Sequence, residues 1–223
     1  MKIVLAGSTG FIGQEVLQQC LDSSKTTSVV VLSRRQLPAQ KDHDKAKKLR
    51  VVLVDDFLWY PDSVRDMIKD ADAFNRVSRT LGKARMPDNE TARRVSVDYT
   101  LAAVRALQET TENKIRFVYC SGAAAECDHN KPLWFMQEYR RIRGQVETEL
   151  MSLAEAHPDH FDAYIMRPGM VMSSELTLRS MLLCLTTSVR VDVLAAAMLD
   201  LALDGVEKKT WENDEIIQAN KDK

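Results

Sequence analysis

Apolar residues come in short unbroken blocks, each followed by a stretch where they recur at helical spacing. Ile3-Val4-Leu5-Ala6 is the first block, and Ile12, Val16, Leu17, Cys20 and Leu21 form the stripe behind it. Blocks of this length predict buried strands, and the stripes predict helices that lie on them. The alternation repeats. Ser28–Ser33 and Leu49–Val54 read as second and third strands, the latter closed by Asp55-Asp56. A charged, lysine-rich connector (Lys41–Lys48) separates them. Val64, Met67 and Ile68 mark a helix over Asp62–Lys69, and Val97, Leu101, Val104 and Leu107 mark a longer one after Pro87–Glu90. Lys114–Ser121 is the fifth strand. Tyr139, Ile142, Val146, Leu150 and Leu153 share one face of the next helix, which His157-Pro158 ends. Phe161–Met172 reads as a sixth strand interrupted at Arg167-Pro168-Gly169. The remainder, from about Ser173, forms a small C-terminal portion with an apolar segment at Met181–Leu185 and a helix over Val191–Leu203. Repeated strand–helix alternation argues for α/β architecture: a parallel sheet covered on both faces, in a single domain.

One segment breaks the pattern. Ala71-Asp72-Ala73-Phe74 begins as a strand, but Asn75-Arg76-Val77-Ser78-Arg79-Thr80 is too polar for a fully buried central strand.

The first strand–helix junction carries the strongest chemical signal, Gly7-Ser8-Thr9-Gly10-Phe11-Ile12-Gly13. Gly7 permits a tight exit from the strand, Gly10 lets backbone approach a pyrophosphate, and Gly13 lets the helix pack closely on the sheet. Amides at the helix start would meet the phosphates, so this junction predicts a dinucleotide site. An acidic residue closing the second strand would bind ribose hydroxyls and repel a 2′-phosphate. Arg34 and Arg35 stand there instead, which favours NADP(H) and leaves NAD as the alternative. Asp55 can border the adenine. Ser121 follows a strand end, and Tyr139 and Arg143 lie one helical turn apart on one face. A phenol beside a cation can exchange a proton with a carbonyl or alcohol whose oxygen a serine holds.

Together these motifs resemble the short-chain dehydrogenase/reductase superfamily, as an atypical member. The glycine turn, Ser121, the Tyr139–Arg143 helix and Arg167-Pro168-Gly169 occur in that superfamily's order. Tyr139-Arg140-Arg141-Ile142-Arg143-Gly144-Gln145-Val146-Glu147 and the Arg-Pro-Gly are similar to small proteins related to the Tat-interacting oxidoreductase-like tumour suppressor. The resemblance implies a Rossmann fold, a doubly wound parallel sheet binding NAD(P)(H). It implies Ser121 and Tyr139 as catalytic residues, Arg143 in place of a lysine that anchors the nicotinamide ribose, and Arg167 and Pro168 in a loop over the cofactor. Arginine keeps the charge there but places its donors differently. Two functions follow. One is an oxidoreductase acting on a small carbonyl or alcohol; the other is a dinucleotide-binding protein that acts through protein partners.

Composition narrows the field. A formal net charge of −1 provides no field for nucleic acid or an anionic surface. The apolar runs are too short to span a bilayer, and the N-terminal segment lacks a secretory pattern. Cys20, Cys120, Cys127 and Cys184 lack paired metal-ligand spacing, and His43, His129, His157 and His160 sit in polar connectors or at a helix end. These features predict a cytoplasmic protein with no metal and no nucleic-acid or membrane partner, while the resemblance implies a small-molecule substrate and either a homodimer or a protein partner.

Overall fold

The computed structural model describes residues 1–77, 88–128, 130–174 and 187–220. The strands are β1 (Lys2–Ala6), β2 (Ser28–Ser33), β3 (Leu49–Leu53), β4 (Ala73–Val77), β5 (Ile115–Cys120), β6 (Phe161–Arg167), β7 (Met170–Met172), β8 (Ser188–Arg190) and β9 (Thr210–Glu212). The helices are α1 (Phe11–Asp22), α2 (His43–Lys48), α3 (Asp62–Ile68), α4 (Asn89–Arg93), α5 (Tyr99–Thr110), α6 (Gln137–Ala156), α7 (Val191–Leu203) and α8 (Asn213–Ala219). A π-helical turn, Arg94–Asp98, joins α4 to α5. Ser78–Thr80 of the polar fourth segment, His129, Cys184 and the segment Met181–Leu185 lie outside the described residues.

Seven strands form one sheet in the order β3-β2-β1-β4-β5-β6-β9, every neighbouring pair parallel. The chain moves outward from β1 through β2 to β3, then returns past β1 to β4. That reversal opens a crevice between the carboxyl ends of β1 and β4, where doubly wound sheets receive ligands. Because side chains alternate along a strand, the sheet has two cores. Ile3, Leu5, Val29, Val31 and Val118 meet α1, α7 and α8 on one face. Val4, Ala6, Phe74, Phe117 and Phe161 meet α3, α5 and α6 on the other, with the Phe74 and Phe117 rings stacked 5.0 Å apart. The C-terminal portion shares the first core through Val189, Leu194 and Ile216, and its β9 extends the main sheet.

Two expectations need correction. The polar fourth segment is a central strand, paired on both sides, and every residue from Ala73 to Val77 is buried, Asn75 and Arg76 included. Arg76 is accommodated because its guanidinium is bonded, Nη2 to the Val95 carbonyl (2.8 Å) and Nε to Thr100 Oγ1 (3.2 Å). Asn75 has no such compensation; among the described residues neither of its side-chain polar atoms has a partner. The second correction concerns Phe161–Met172. At Arg167-Pro168-Gly169 the chain leaves the sheet, and β7 pairs with β8 in a separate two-stranded sheet. The lysine-rich connector also contains a helical turn, α2, because Asp42 caps it by accepting from the amides of Asp44 and Lys45.

Candidate functional site

The glycine turn lies at the floor of the crevice. Gly7 has φ +96°, and a Cβ there would stand 2.1 Å from the carbonyl oxygen of Val77 at the end of β4. A Cβ on Gly13 would stand 2.1 Å from the carbonyl oxygen of Gly7. The turn therefore folds against β4 and against its own helix with no room for a side chain. Gly10 is different. Its added Cβ would meet protein only at 3.4 Å, so what it keeps clear is the approach from the crevice. Gly10 is also the N-cap of α1, and among the described residues no side chain caps that end or places a carboxylate in the first turn. The helix-start amides thus face the crevice without a protein anion. Ser8 is buried there with its hydroxyl unpartnered, Ile12 packs in the core, and Thr9 and Phe11 are exposed. An uncapped helix start, an orphan hydroxyl and a glycine with open space at its Cβ position fit a diphosphate.

Arg34 and Arg35 follow β2 at the same edge, both exposed, and neither pairs with a carboxylate among the described residues. The Ser33 hydroxyl fixes the turn, donating to the Arg35 carbonyl (2.7 Å) and accepting from its amide (3.2 Å). Asp55 is exposed at the end of β3. Beside it, Asp56 accepts from Arg94 at 3.0 Å and bridges β3 to the π-helical turn.

Ser121, Tyr139 and Arg143 gather at the end of β5, yet they divide into two groups. The Arg143 guanidinium is buried, lies 5.0 Å from the Tyr139 ring centroid and donates to the Cys120 carbonyl at 3.1 Å. Tyr139 is partly buried, and its hydroxyl lies 3.9 Å from where a Cβ on Gly122 would stand. Burial pushes the Tyr139 phenol above its ordinary pKa, and the neighbouring Arg143 charge and hydrogen bond only partly oppose this. The Ser121 hydroxyl turns the other way. It is fully buried and donates to Glu147 Oε1.

Glu147, one further turn along α6 from Arg143, organises this second group. Its Oε2 accepts from Arg167 Nε at 2.9 Å and from Arg167 Nη2. Arg167 Nη1 also donates to Glu212 on β9 at 2.9 Å. Glu147 and Glu212 together hold the Arg167 guanidinium above its ordinary pKa. Pro168 is buried, and its carbonyl accepts from the Ala123 amide at 2.9 Å. One carboxylate thus joins the turns after β5 and β6. The spacing Tyr139, Arg143, Glu147 places all three on one helical stripe, and an acid at a buried stripe position was the available signal for Glu147. The sequence pattern marked Arg76 only as part of a polar break in the fourth strand, with no sign of the partners that accommodate it. Among the described residues no group of His, Cys, Asp and Glu could hold a metal ion. Nor is any described helix long and apolar enough to cross a membrane.

A model of a family described as NAD(P)H-binding matches residues 7–204. Among solved structures, the chain is similar to Gre2 of Candida albicans, crystallised with NADPH: TM-score 0.70, 19% identity, covering 94% of this chain and 77% of that one. Vestitone reductase of alfalfa gives TM-score 0.68 at 18% identity, with 95% and 76% covered. A short chain dehydrogenase/reductase of Saccharomyces cerevisiae gives TM-score 0.69 at 17% identity, with 96% of both chains covered. At such identities the likeness establishes the fold. No curated protein matches. The narrower likeness to the Tat-interacting proteins stays a resemblance carried by the Tyr139–Glu147 stretch.

Proposed function

The chain belongs to the NAD(P)H-binding family, and from that premise we propose that it is an NADP(H)-dependent oxidoreductase acting on a small carbonyl or alcohol. The uncapped start of α1 at the β1–β4 crevice carries this reading, because its amides and the Ser8 hydroxyl lack an anion that a coenzyme diphosphate supplies. Gly7, Ser8, Thr9, Gly10, Phe11, Ile12 and Gly13 form the diphosphate turn. Arg34 and Arg35, exposed after β2 and with no carboxylate partner among the described residues, would meet a 2′-phosphate, and Asp55 would border the adenine. When bound, the coenzyme supplies or accepts the hydride.

The protein's own residues handle the proton and the substrate oxygen. Tyr139, its phenol kept protonated by burial, serves as proton donor to the oxygen of a carbonyl under reduction. Arg143 acts on Tyr139 directly, offsetting negative charge as the phenol releases its proton. Its burial and its bond to the Cys120 carbonyl favour that role over reaching a ribose. Ser121 donates to Glu147, so orienting a substrate would require its hydroxyl to rotate. Arg167 and Pro168 hold the β6 turn beside the site. Calorimetric titration with NADPH and NADH, followed by assay against a panel of carbonyls, tests the reading. Tight NADPH binding with turnover that Tyr139→Phe abolishes is the expected result, and binding of neither coenzyme defeats it.

A second reading has one observation in its favour. With the Ser121 proton committed to Glu147 and Arg143 committed to a main-chain carbonyl, the chain can bind dinucleotide without efficient turnover and act through a protein partner or as a homodimer. Tight binding with no turnover across the panel selects it.

A further inference from the structure

A buried arginine in a central strand requires a reason. Arg76 is 6% exposed, and burial lowers its pKa, with no carboxylate among the described residues paired to it. Its ring neighbour is Phe57, 6.0 Å from the guanidinium carbon to the centroid, and its cross-strand partner on β5 is Tyr119. What the guanidinium does touch is the π-helical turn.

In that turn the Tyr99 amide reaches back five residues to the Arg94 carbonyl. One five-residue step in a four-residue ladder passes over a carbonyl, which then needs a donor from elsewhere. Arg76 offers one at the next position along, with Nη2 on the Val95 carbonyl at 2.8 Å. Its Nε reaches Thr100 Oγ1 at 3.2 Å, and that hydroxyl in turn donates to the Ser96 carbonyl at 2.6 Å. The fork thus fits the widened turn at successive carbonyls. The extra residue also decides where the preceding chain points. It rotates everything N-terminal to it by roughly 100° relative to α5, and Arg94, which bonds Asp56 at 3.0 Å, lies on that side.

We propose that Arg76 is a positioning residue: it holds the π-helical turn open and so seats Arg94 on Asp56, walling the crevice beside the end of β3. The last step, that this wall faces the adenosine half of a dinucleotide, rests on the function proposed above. The first step does not.

The test is a cycle of four proteins: wild type, Arg76→Leu, a deletion of Ser96, and the two combined. Deleting Ser96 removes the extra residue and restores a regular ladder. It should lower Tm in the wild type, where Arg76 loses its acceptor. In the Arg76→Leu background it should raise Tm or leave it unchanged, a difference between backgrounds of about 4–10 °C. Equal shifts in both backgrounds overturn the coupling. If Arg76→Leu does not yield folded protein, Arg76→Met carries the same cycle.

NADPH titration supplies the readout that stability alone would not move. The double variant should melt no lower than Arg76→Leu yet bind NADPH more weakly than it, about tenfold below wild type, because Arg94 has rotated away from Asp56. An affinity that simply follows Tm through all four proteins reduces Arg76 to a structural residue. Failure of the wild type to bind any coenzyme defeats the dinucleotide reading and leaves the stability cycle standing.

Discussion

Glu147→Gln keeps the shape of a side chain that is 3% exposed and removes its charge. In the native protein the carboxylate accepts from Ser121 on one oxygen and from Arg167 twice on the other. The amide oxygen can still accept from Arg167 while its NH2 donates to the Ser121 oxygen, so what is lost is chiefly the negative charge that pairs with Arg167. Removing one partner of a buried ion pair costs about 3–5 kcal/mol. Here the Arg167 side chain is 25% exposed and retains Glu212 at 2.9 Å, which offsets part of the loss. About 2–3 kcal/mol remains, equivalent to a fall in Tm of about 4–12 °C for a chain of this size. Thermal unfolding followed by circular dichroism reads it directly. Arg167→Met and the double variant complete a cycle. Once the carboxylate is gone the second substitution should add little, giving a coupling of at least about 1 kcal/mol. Strict additivity, or a Glu147→Gln protein that melts with the wild type, would refute the account of Glu147 as the tie between the β5 and β6 turns.

Other expectations follow from the same geometry. Arg34→Ala should weaken NADPH about 10-fold or more and leave NADH unchanged, by calorimetry, since a lost charge-assisted bond is worth about 1.5–3 kcal/mol; parallel losses for both coenzymes would remove Arg34 from the 2′-phosphate. Gly13→Ala puts a methyl group 2.1 Å from the Gly7 carbonyl, so coenzyme binding should be lost even where folded protein is recovered. Because burial raises the Tyr139 phenol, carbonyl reduction should stay level through neutral pH and fall only in the alkaline range, while alcohol oxidation climbs over the same interval. A titration limb near neutrality that disappears in Tyr139→Phe would mean a depressed phenol instead. Burial pushes the thiols of Cys20 and Cys120 up to about 12 and about 11, so a thiol reagent at pH 8 should reach Cys127 and spare these two until unfolding.

Most of the fold was legible because a parallel sheet writes itself into sequence as runs such as Ile3–Ala6 and Ser28–Ser33, where both faces are buried and polarity has no place. The same logic misled at Asn75-Arg76. Polarity predicts exposure only when no buried partner waits, and the Val95 carbonyl and Thr100 hydroxyl that serve Arg76 come from a helix some twenty residues away. Asn75 remains polar, central and unpartnered, and nothing in the structure explains it. The break at Arg167-Pro168-Gly169 was visible, but not that Met170–Met172 would pair with Ser188–Arg190, since short strands carry little period of their own. At the site, glycine spacing exposed the turn because sterics demand those residues. The orientation of Ser121 could not be read, for a hydroxyl's direction depends on Glu147, a distant residue brought close only by folding.

The bare amides at the start of α1 have a consequence for the lifetime of the protein. An anion that fits them finds its site only in the folded chain, so mass action draws the folding equilibrium toward the native form. At a hundred times its dissociation constant, a coenzyme adds about 2.7 kcal/mol in this way, a sizeable share of what holds an ordinary domain together. Abundance in the cell then becomes tied to the nucleotide pool, and degradation would quicken as that pool empties.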